Sequence, residues 1–272
     1  MDKIGLIAGN GRFPLLAAKE AIRLGHRVIC AAIEGEADPA LEKIADQCRW
    51  VKLGQIKKLA SFFREHGVRE ALMAGKVEKV RLFQENVSPD MDMMKLVMKA
   101  RDLKDDTLLG AVAKYLEKQG VTLLDSTVFL KELLPGPGVL GKKRPSRELM
   151  ETIRFGFRTA KALAGLDIGQ TVIVKKKAIL AVEAIEGTDQ AIRRGGALGA
   201  GKIVIVKVAK PDQDMRFDVP AVGLRTMDEM IAVKAEAFAF EARKTIFMDQ
   251  EDFVDRANRH GIALVGLEDT GL

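Results

Sequence analysis

Four short apolar runs in the first half of the chain, KIGLIAG from Lys3, HRVICAAI from His26, RWVKL from Arg49 and REALMAGKV from Arg69, are each bounded by glycine or charge. Runs that stay apolar instead of alternating belong to strands buried on both faces, as in a parallel sheet. The segments between them carry helical period. Pro14 opens a helix that stops before Gly25, and Ile56, Leu59, Ala60 and Phe63 fall at i, i+3, i+4 and i+7. Helices are also predicted over 91–100 and 107–118, with a fifth strand in GVTLLDS from Gly120. Repeated strand–helix–strand order predicts a doubly wound α/β domain over residues 1–133. The stretch LPGPGVLGKKRPS, 134–146, holds three prolines and three glycines and reads as a linker. Beyond it the pattern restarts, predicting a mixed α/β (α+β) domain over 147–272: a helix with Met150, Ile153, Phe157, Ala160 and Ala164 on one side, a hairpin in TVIVKKKAILAVEA, and further strands in KIVIVKVAK, AFAFEA and IALVGL.

At 272 residues and 47% hydrophobic, the chain can bury two cores without disulfides. Forty-four Lys and Arg against 38 Asp and Glu give a formal charge of +6, which favours anionic partners. Nucleic acid is excluded as the partner, since one Trp, one Tyr and no basic run with interleaved aromatics offer no stacking platform. Cys30 and Cys48 lie far from any CxxC spacing, and with only His26, His66 and His260 no zinc constellation assembles; both read as reduced thiols in a cytoplasmic protein. The start, MDKIGLIAGNG, lacks the pattern of a signal peptide, and no apolar run approaches the roughly 20 residues that span a bilayer. The expectation is a soluble protein, with contact at a membrane surface left open.

Several motifs carry two readings. IAGNGRFP, with Gly9, Asn10 and Gly11 between a strand and a helix, is placed for phosphate contact or is a ligand-free tight turn; Pro14 stands where a dinucleotide fingerprint has its third glycine. No P-loop motif is present. Asp105 and Asp106 in LKDDTLL are helix caps or metal ligands, and the methionines of MDMMKLVMKA pack a core or meet an acyl chain. In AVEAIEGTDQAIRR, Glu183 interrupts an apolar strand, while Thr188 reads as an N-cap with Asp189, Arg193 and Arg194 following. That cluster suits a diphosphate with its metal ion, or is a Glu183–Arg193 ion pair beside an ordinary cap. In AKPDQDMRFDVPAVG, Asp214, Arg216 and Asp218 alternate with Met215, Phe217 and Val219, predicting a half-buried strand whose charged row is solvated or catalytic, with Lys207 and Lys210 upstream to neutralise phosphate.

In this order, IAGNGRFP, RDLKDDTLL, LDIGQTVIV, AVEAIEGTD and KPDQDMRFDVPAVG resemble the LpxI family, the UDP-2,3-diacylglucosamine pyrophosphatases of lipid A biosynthesis, over essentially the whole chain. The resemblance implies hydrolysis of UDP-2,3-diacylglucosamine to 2,3-diacylglucosamine 1-phosphate and UMP with Mg2+, at the cytoplasmic face of the inner membrane, by a homodimer whose N-terminal domain is Rossmann-like. It places the family's essential aspartate at Asp218, as catalytic residue and metal ligand, with Lys210, Gln213 and Arg216 near the diphosphate. Gly9, Asn10, Gly11, Thr188 and Asp189 are candidate substrate contacts, and Glu183 a second candidate metal ligand. KKKA at 175–178 departs from a family turn that usually contains glycine.

Phosphoanhydride hydrolysis needs neutralised charge and a positioned water more than a protein nucleophile, and three scattered histidines exclude a calcineurin-like metallophosphoesterase. Two rivals remain: an NAD(P)-dependent oxidoreductase using Glu34 as ribose carboxylate, and a non-catalytic sugar-nucleotide or lipid-binding module.

Overall fold

A computed structural model describes residues 2–77, 89–99, 105–217 and 219–269. By internal contact the chain divides into Met1–Leu130 with Asp214–Asp218, and Lys131–Gln213 with Val219–Leu272.

In the first unit, β1 (Lys3–Ala8), β2 (Arg27–Ile33), β3 (Gln47–Val51), β4 (Glu70–Ala74) and β5 (Thr122–Leu123) form a sheet of order β3-β2-β1-β4-β5. Every pairing in it is parallel, as the unbroken apolar runs predict. On one face α1 (Phe13–Arg23) packs against β1, β2 and β4, with the short α2 (Leu41–Ile44) beside it. On the other, α3 (Ile56–Glu65), α4 (Met91–Lys99) and α5 (Asp105–Lys118) close a core through Leu59, Phe63, Met93 and Leu116. The side chains of Asp105 and Asp106 lie outside the described residues. The core-packing reading of the methionine helix holds for one of its faces. Met93 is buried, while Met91, Met94 and Met98 are 73%, 53% and 82% exposed.

In the second unit, a six-stranded sheet of order β6-β13-β11-β9-β7-β8 is built from β6 (Gly138–Leu140), β7 (Thr171–Lys175), β8 (Ala178–Val182), β9 (Val204–Lys207), β11 (Ala237–Glu241) and β13 (Ala263–Leu267). The central β9, β11 and β13 are parallel; β6, β7 and β8 run antiparallel to their neighbours. Alternation along each strand feeds two cores. Val172, Val174, Val204 and Val206 meet α6 (Arg147–Gly165) through Ile153, Phe157 and Ala160. Ile173, Ile205, Phe238 and Phe240 meet α7 (Thr188–Gly199), α8 (Leu224–Ala232) and α9 (Gln250–His260). A small parallel pair, β10 (Ala221–Val222) with β12 (Ile246–Phe247), flanks them. The Pro/Gly-rich stretch 134–146 carries the edge strand β6, the sheet position that tolerates such a composition.

The strand expected from 214 onward does not form. Residues 214–217 make a turn closed by the Phe217 N–H on the Asp214 carbonyl, 3.2 Å. Asp214 also accepts from the Arg216 N–H at 3.1 Å, the local capping habit by which Asp competes with strand pairing. Phe217, 4% exposed, seats the turn in the core of the first unit.

Candidate functional site

The register of the second sheet brings three motif segments to one end. Thr171 at the start of β7 pairs with Lys207 at the end of β9, and Val172 pairs with Val182 at the end of β8. Gln170, Glu183, the start of α7 and the loop after Lys207 therefore share the edge where the parallel strands present their carboxyl ends, the usual place for a ligand in an open α/β sheet.

At this edge Lys207 is 5% exposed, so its ammonium needs partners. Its Nζ donates to Thr188 Oγ1 at 2.7 Å, lies 3.5 Å from Thr171 Oγ1 and 3.9 Å from Glu183 Oε2. Thr188 in turn donates a hydrogen bond from its hydroxyl to Glu183 Oε1 at 2.8 Å. Lysine, threonine and glutamate thus form one directed chain, donor to acceptor. This corrects two expectations. Glu183 pairs with Lys207, while Arg193 pairs with Glu229 and Arg194 with Glu186. Thr188 is the first residue of α7 and not its cap; Gly187, at φ 83°, is the cap, which frees the threonine hydroxyl for the chain.

LDIGQ supplies the neighbouring contacts. Asp167 Oδ1 takes the Lys210 ammonium at 2.8 Å, and Gln170 Nε2 reaches Gln213 Oε1 at 3.4 Å. Gly169 lies so close to the Glu183 carbonyl that a Cβ would stand 2.0 Å from its oxygen. Asp189 turns to α8, accepting from Thr226 Oγ1 at 3.0 Å and pairing with Arg225 at 3.0 Å. Beneath the loop, Glu241, 1% exposed, accepts from the Ala209 N–H at 2.9 Å and pairs with Lys161 at 3.0 Å; Lys161 also donates to the Ala209 carbonyl at 3.1 Å.

The remaining candidates belong to the first unit. The Gly9 N–H donates to Ala74 O at 2.8 Å, and Asn10 exchanges backbone bonds with Lys76 at 2.6 and 3.0 Å. A Cβ on Gly9 would stand 2.5 Å from the Lys76 carbonyl oxygen. The need for glycine there comes from the close pass of the chain just after β4, and the Gly9 and Asn10 amides are already committed to it. Gly11, at φ 98°, faces open space. The buried Ser126 ties the turn at 214–217 to the end of β4: its Oγ lies 2.6 Å from the carbonyls of both Met73 and Arg216, and its N–H donates to Met215 O at 2.9 Å. Arg216 grips Asp214 through Nε and Nη2 at 2.9 and 2.6 Å, which holds the Asp214 carboxyl below the usual carboxylate range and raises the guanidinium in turn. Asp218 lies outside the described residues.

Among the described residues no three acidic, histidine or cysteine side chains gather as a metal site. Glu183 offers the oxygen chemistry a hard cation takes, but the Lys207 ammonium already stands beside its carboxylate, so the described donors fit an anion better than a metal ion. Lys161, Glu241, Asp167 and Gln170 were absent from the sequence-derived candidate set. The signal for the last two was LDIGQ itself; Glu241 and Lys161 meet only because α6 packs on the sheet.

Residues 3–133 match the family model described as the LpxI N-terminal domain, and residues 136–265 that of the LpxI C-terminal domain. A protein of Caulobacter vibrioides named UDP-2,3-diacylglucosamine pyrophosphatase LpxI is 30% identical over 282 aligned positions, covering 98% of each chain. Among solved structures, the biotin carboxylase subunit of pyruvate carboxylase is 16% identical with a TM-score of 0.27, covering 67% of this chain and 36% of its own. N5-carboxyaminoimidazole ribonucleotide synthetase from Thermotoga maritima is 18% identical with a TM-score of 0.26, covering 69% of this chain and 43% of its own. The chain thus spans less than half of either solved chain, and likeness at that level has no bearing on function.

Proposed function

Because the chain belongs to the LpxI family, we propose that it hydrolyses the diphosphate of UDP-2,3-diacylglucosamine, giving 2,3-diacylglucosamine 1-phosphate and UMP, a step of lipid A biosynthesis. The observation that carries the reading is the buried Lys207 ammonium, with Lys210 and the first turn of α7, at one end of the second sheet. A desolvated cation beside helix N-H groups is a setting for a diphosphate. In phosphoryl transfer such positioned charge does most of the work, and water is the nucleophile.

Lys207 and Lys210 offset charge on the phosphate oxygens, Thr188 and Gln213 orient the group by hydrogen bonds, and Arg216 is a further basic candidate for the diphosphate. Asp218 is the residue proposed to orient the attacking water, and Mg2+ is the proposed cofactor, which Asp218 and Glu183 would hold. The ion would add positive charge at the diphosphate, and to reach Glu183 it would have to displace the Lys207 ammonium. Gly9, Asn10 and Gly11 are proposed to meet the substrate by shape through the open side of Gly11, and Asp189 to act through its hold on α8.

The strand order β3-β2-β1-β4-β5 supports a Rossmann-like reading of the first unit. The outward methionines of α4 and the charge of +6 support an acyl-bearing substrate and peripheral contact with an anionic membrane face in the cytoplasm. No helix of the described residues is long and apolar enough to cross a membrane. Ile185 and Leu198, 94% and 66% exposed near the edge strand β8, support a homodimer.

Purified wild type and Asp218→Ala, given UDP-2,3-diacylglucosamine and Mg2+ with and without EDTA, test the reading. Metal-dependent UMP release by wild type and none by the folded variant is the expected result. Binding without release by either protein would instead establish a binding module, and reduction of a nicotinamide cofactor an oxidoreductase.

A further inference from the structure

β2 and β3 run parallel, and their register sets Cys30 directly beside Cys48. These are the only cysteines in the sequence, and both are free thiols. Neighbouring strands stand about 4.8 Å apart, inside the Cα separation of roughly 4.4–6.8 Å that a disulfide spans. Directly paired residues point to the same face of the sheet, so the two side chains lie side by side and a small local approach of the strands brings them to bridging distance. Their exposure differs: Cys30 is wholly buried, whereas Cys48 is half-buried on β3, the edge strand.

We propose that Cys30 and Cys48 form a reversible redox-modification site that reacts with low-molecular-weight disulfides of the glutathione class, Cys48 attacking and Cys30 resolving. The Cys48 thiolate attacks one sulfur of the small disulfide, breaking its S–S bond, forming a mixed disulfide and releasing one thiolate. Cys30 then gives up its proton to a departing thiolate and attacks the Cys48 sulfur, expelling the second. The protein dithiol loses two electrons and two protons, and the small disulfide becomes two thiols. Exposure fixes the order of events, since only the edge-strand sulfur is open to a bulky reagent. The direction of the pKa shifts agrees with it: the neighbouring Cys30 lowers the Cys48 thiol below its ordinary value and is itself raised, against a smaller opposing push on Cys48 from burial and Glu42. The site lies in the first unit and is independent of the hydrolase reading.

The folded protein is incubated with oxidised glutathione, trapped with iodoacetamide and weighed intact. Wild type should lose two hydrogens, keep no glutathione, resist alkylation and recover both thiols with dithiothreitol. Cys30→Ser, or Cys30→Ala if the serine variant does not fold, should accumulate one glutathione on Cys48, and Cys48→Ser should react at least roughly tenfold more slowly than wild type. In urea the two single-cysteine chains should react alike, which isolates the effect of the fold. Wild type that stays a dithiol, or that retains a glutathione adduct, overturns the proposal; so does a Cys48→Ser variant that reacts as fast as wild type.

Discussion

Glu241, at the last position of β11, and Lys161 of α6 hold Ala209 from both sides: the carboxylate takes its N–H at 2.9 Å and the ammonium its carbonyl at 3.1 Å, while the two charges pair at 3.0 Å. Both side chains are nearly solvent-free, 1% and 11% exposed. Breaking a buried pair costs about 3–5 kcal/mol when the other charge is left stranded, but here each keeps a second partner, Lys161 with Asp269 at 3.2 Å and Glu241 with Lys244 at 2.8 Å. Glu241→Ala should therefore lose less than that range. Lys161→Met should cost less still, because a carbonyl left without a donor is more easily tolerated than the buried Ala209 N–H left without its acceptor. Urea unfolding of the two variants measures the difference, and equal costs would mean that the Ala209 N–H contact is worth no more than the carbonyl contact.

Lys207→Met tests the site itself. The methionine fills the volume of the lysine stem but offers Thr188 no donor, so the hydroxyl is no longer steered toward Glu183. A charged hydrogen bond to substrate is worth about 1.5–3 kcal/mol, so kcat/KM for UMP release should fall by roughly 10- to 150-fold. With the competing ammonium gone, the Mg2+ concentration for half-maximal rate should fall as well. An unchanged Mg2+ requirement together with reduced turnover would remove Glu183 from the proposed metal ligands while keeping Lys207 at the diphosphate.

The parallel sheet, its helices and the two-part organisation were legible because buried strands and amphipathic helices write their period directly into the chain. The turn at 214–217 was not. Alternation of Asp214, Met215, Arg216 and Phe217 fits a strand equally well, and only tertiary facts, Phe217 entering a core and Ser126 fixing the Arg216 carbonyl, decide against it. The Lys207–Thr188–Glu183 chain was half legible. Its members stood out one by one, but the spacing favoured Arg193 as the partner of Glu183, since nothing local shows that β7 sets Thr171 beside Lys207. The Cys30–Cys48 register was hidden for the same reason.

The Asp214–Arg216 pair carries a pH signature. The guanidinium's hydrogen bonds lower the folded-state pKa of Asp214 below its unfolded value of about 4. Between the two values the unfolded chain binds more protons, so stability rises with pH through that window. The contribution is complete above about pH 4 and is lost as pH falls through the folded value. Asp214→Asn should therefore flatten the acid limb of stability below about pH 4 and leave the neutral slope alone. Denaturant midpoints measured across this range check it; an unchanged acid limb would mean the pair is fully solvated in solution.

The hairpin tip between β7 and β8 offers the last test. Lys176 and Lys177 have φ of 48° and 64°, so both central positions of this two-residue turn are left-handed. Such a turn matches the strand twist, but it is ordinarily filled by Asn-Gly, because a side chain there costs roughly 1–2 kcal/mol. Lys177 also pairs with Glu151 at 2.8 Å, whereas the exposed Lys176 can be changed without touching that contact. Lys176→Gly should raise stability by about 0.5–1 kcal/mol, the relief of strain less the added chain entropy of glycine. Lys177→Gly should gain less, since it gives up the ion pair. Thermal unfolding of the two variants beside wild type decides the matter, and a loss of stability in Lys176→Gly would show that the lysine holds this turn without strain.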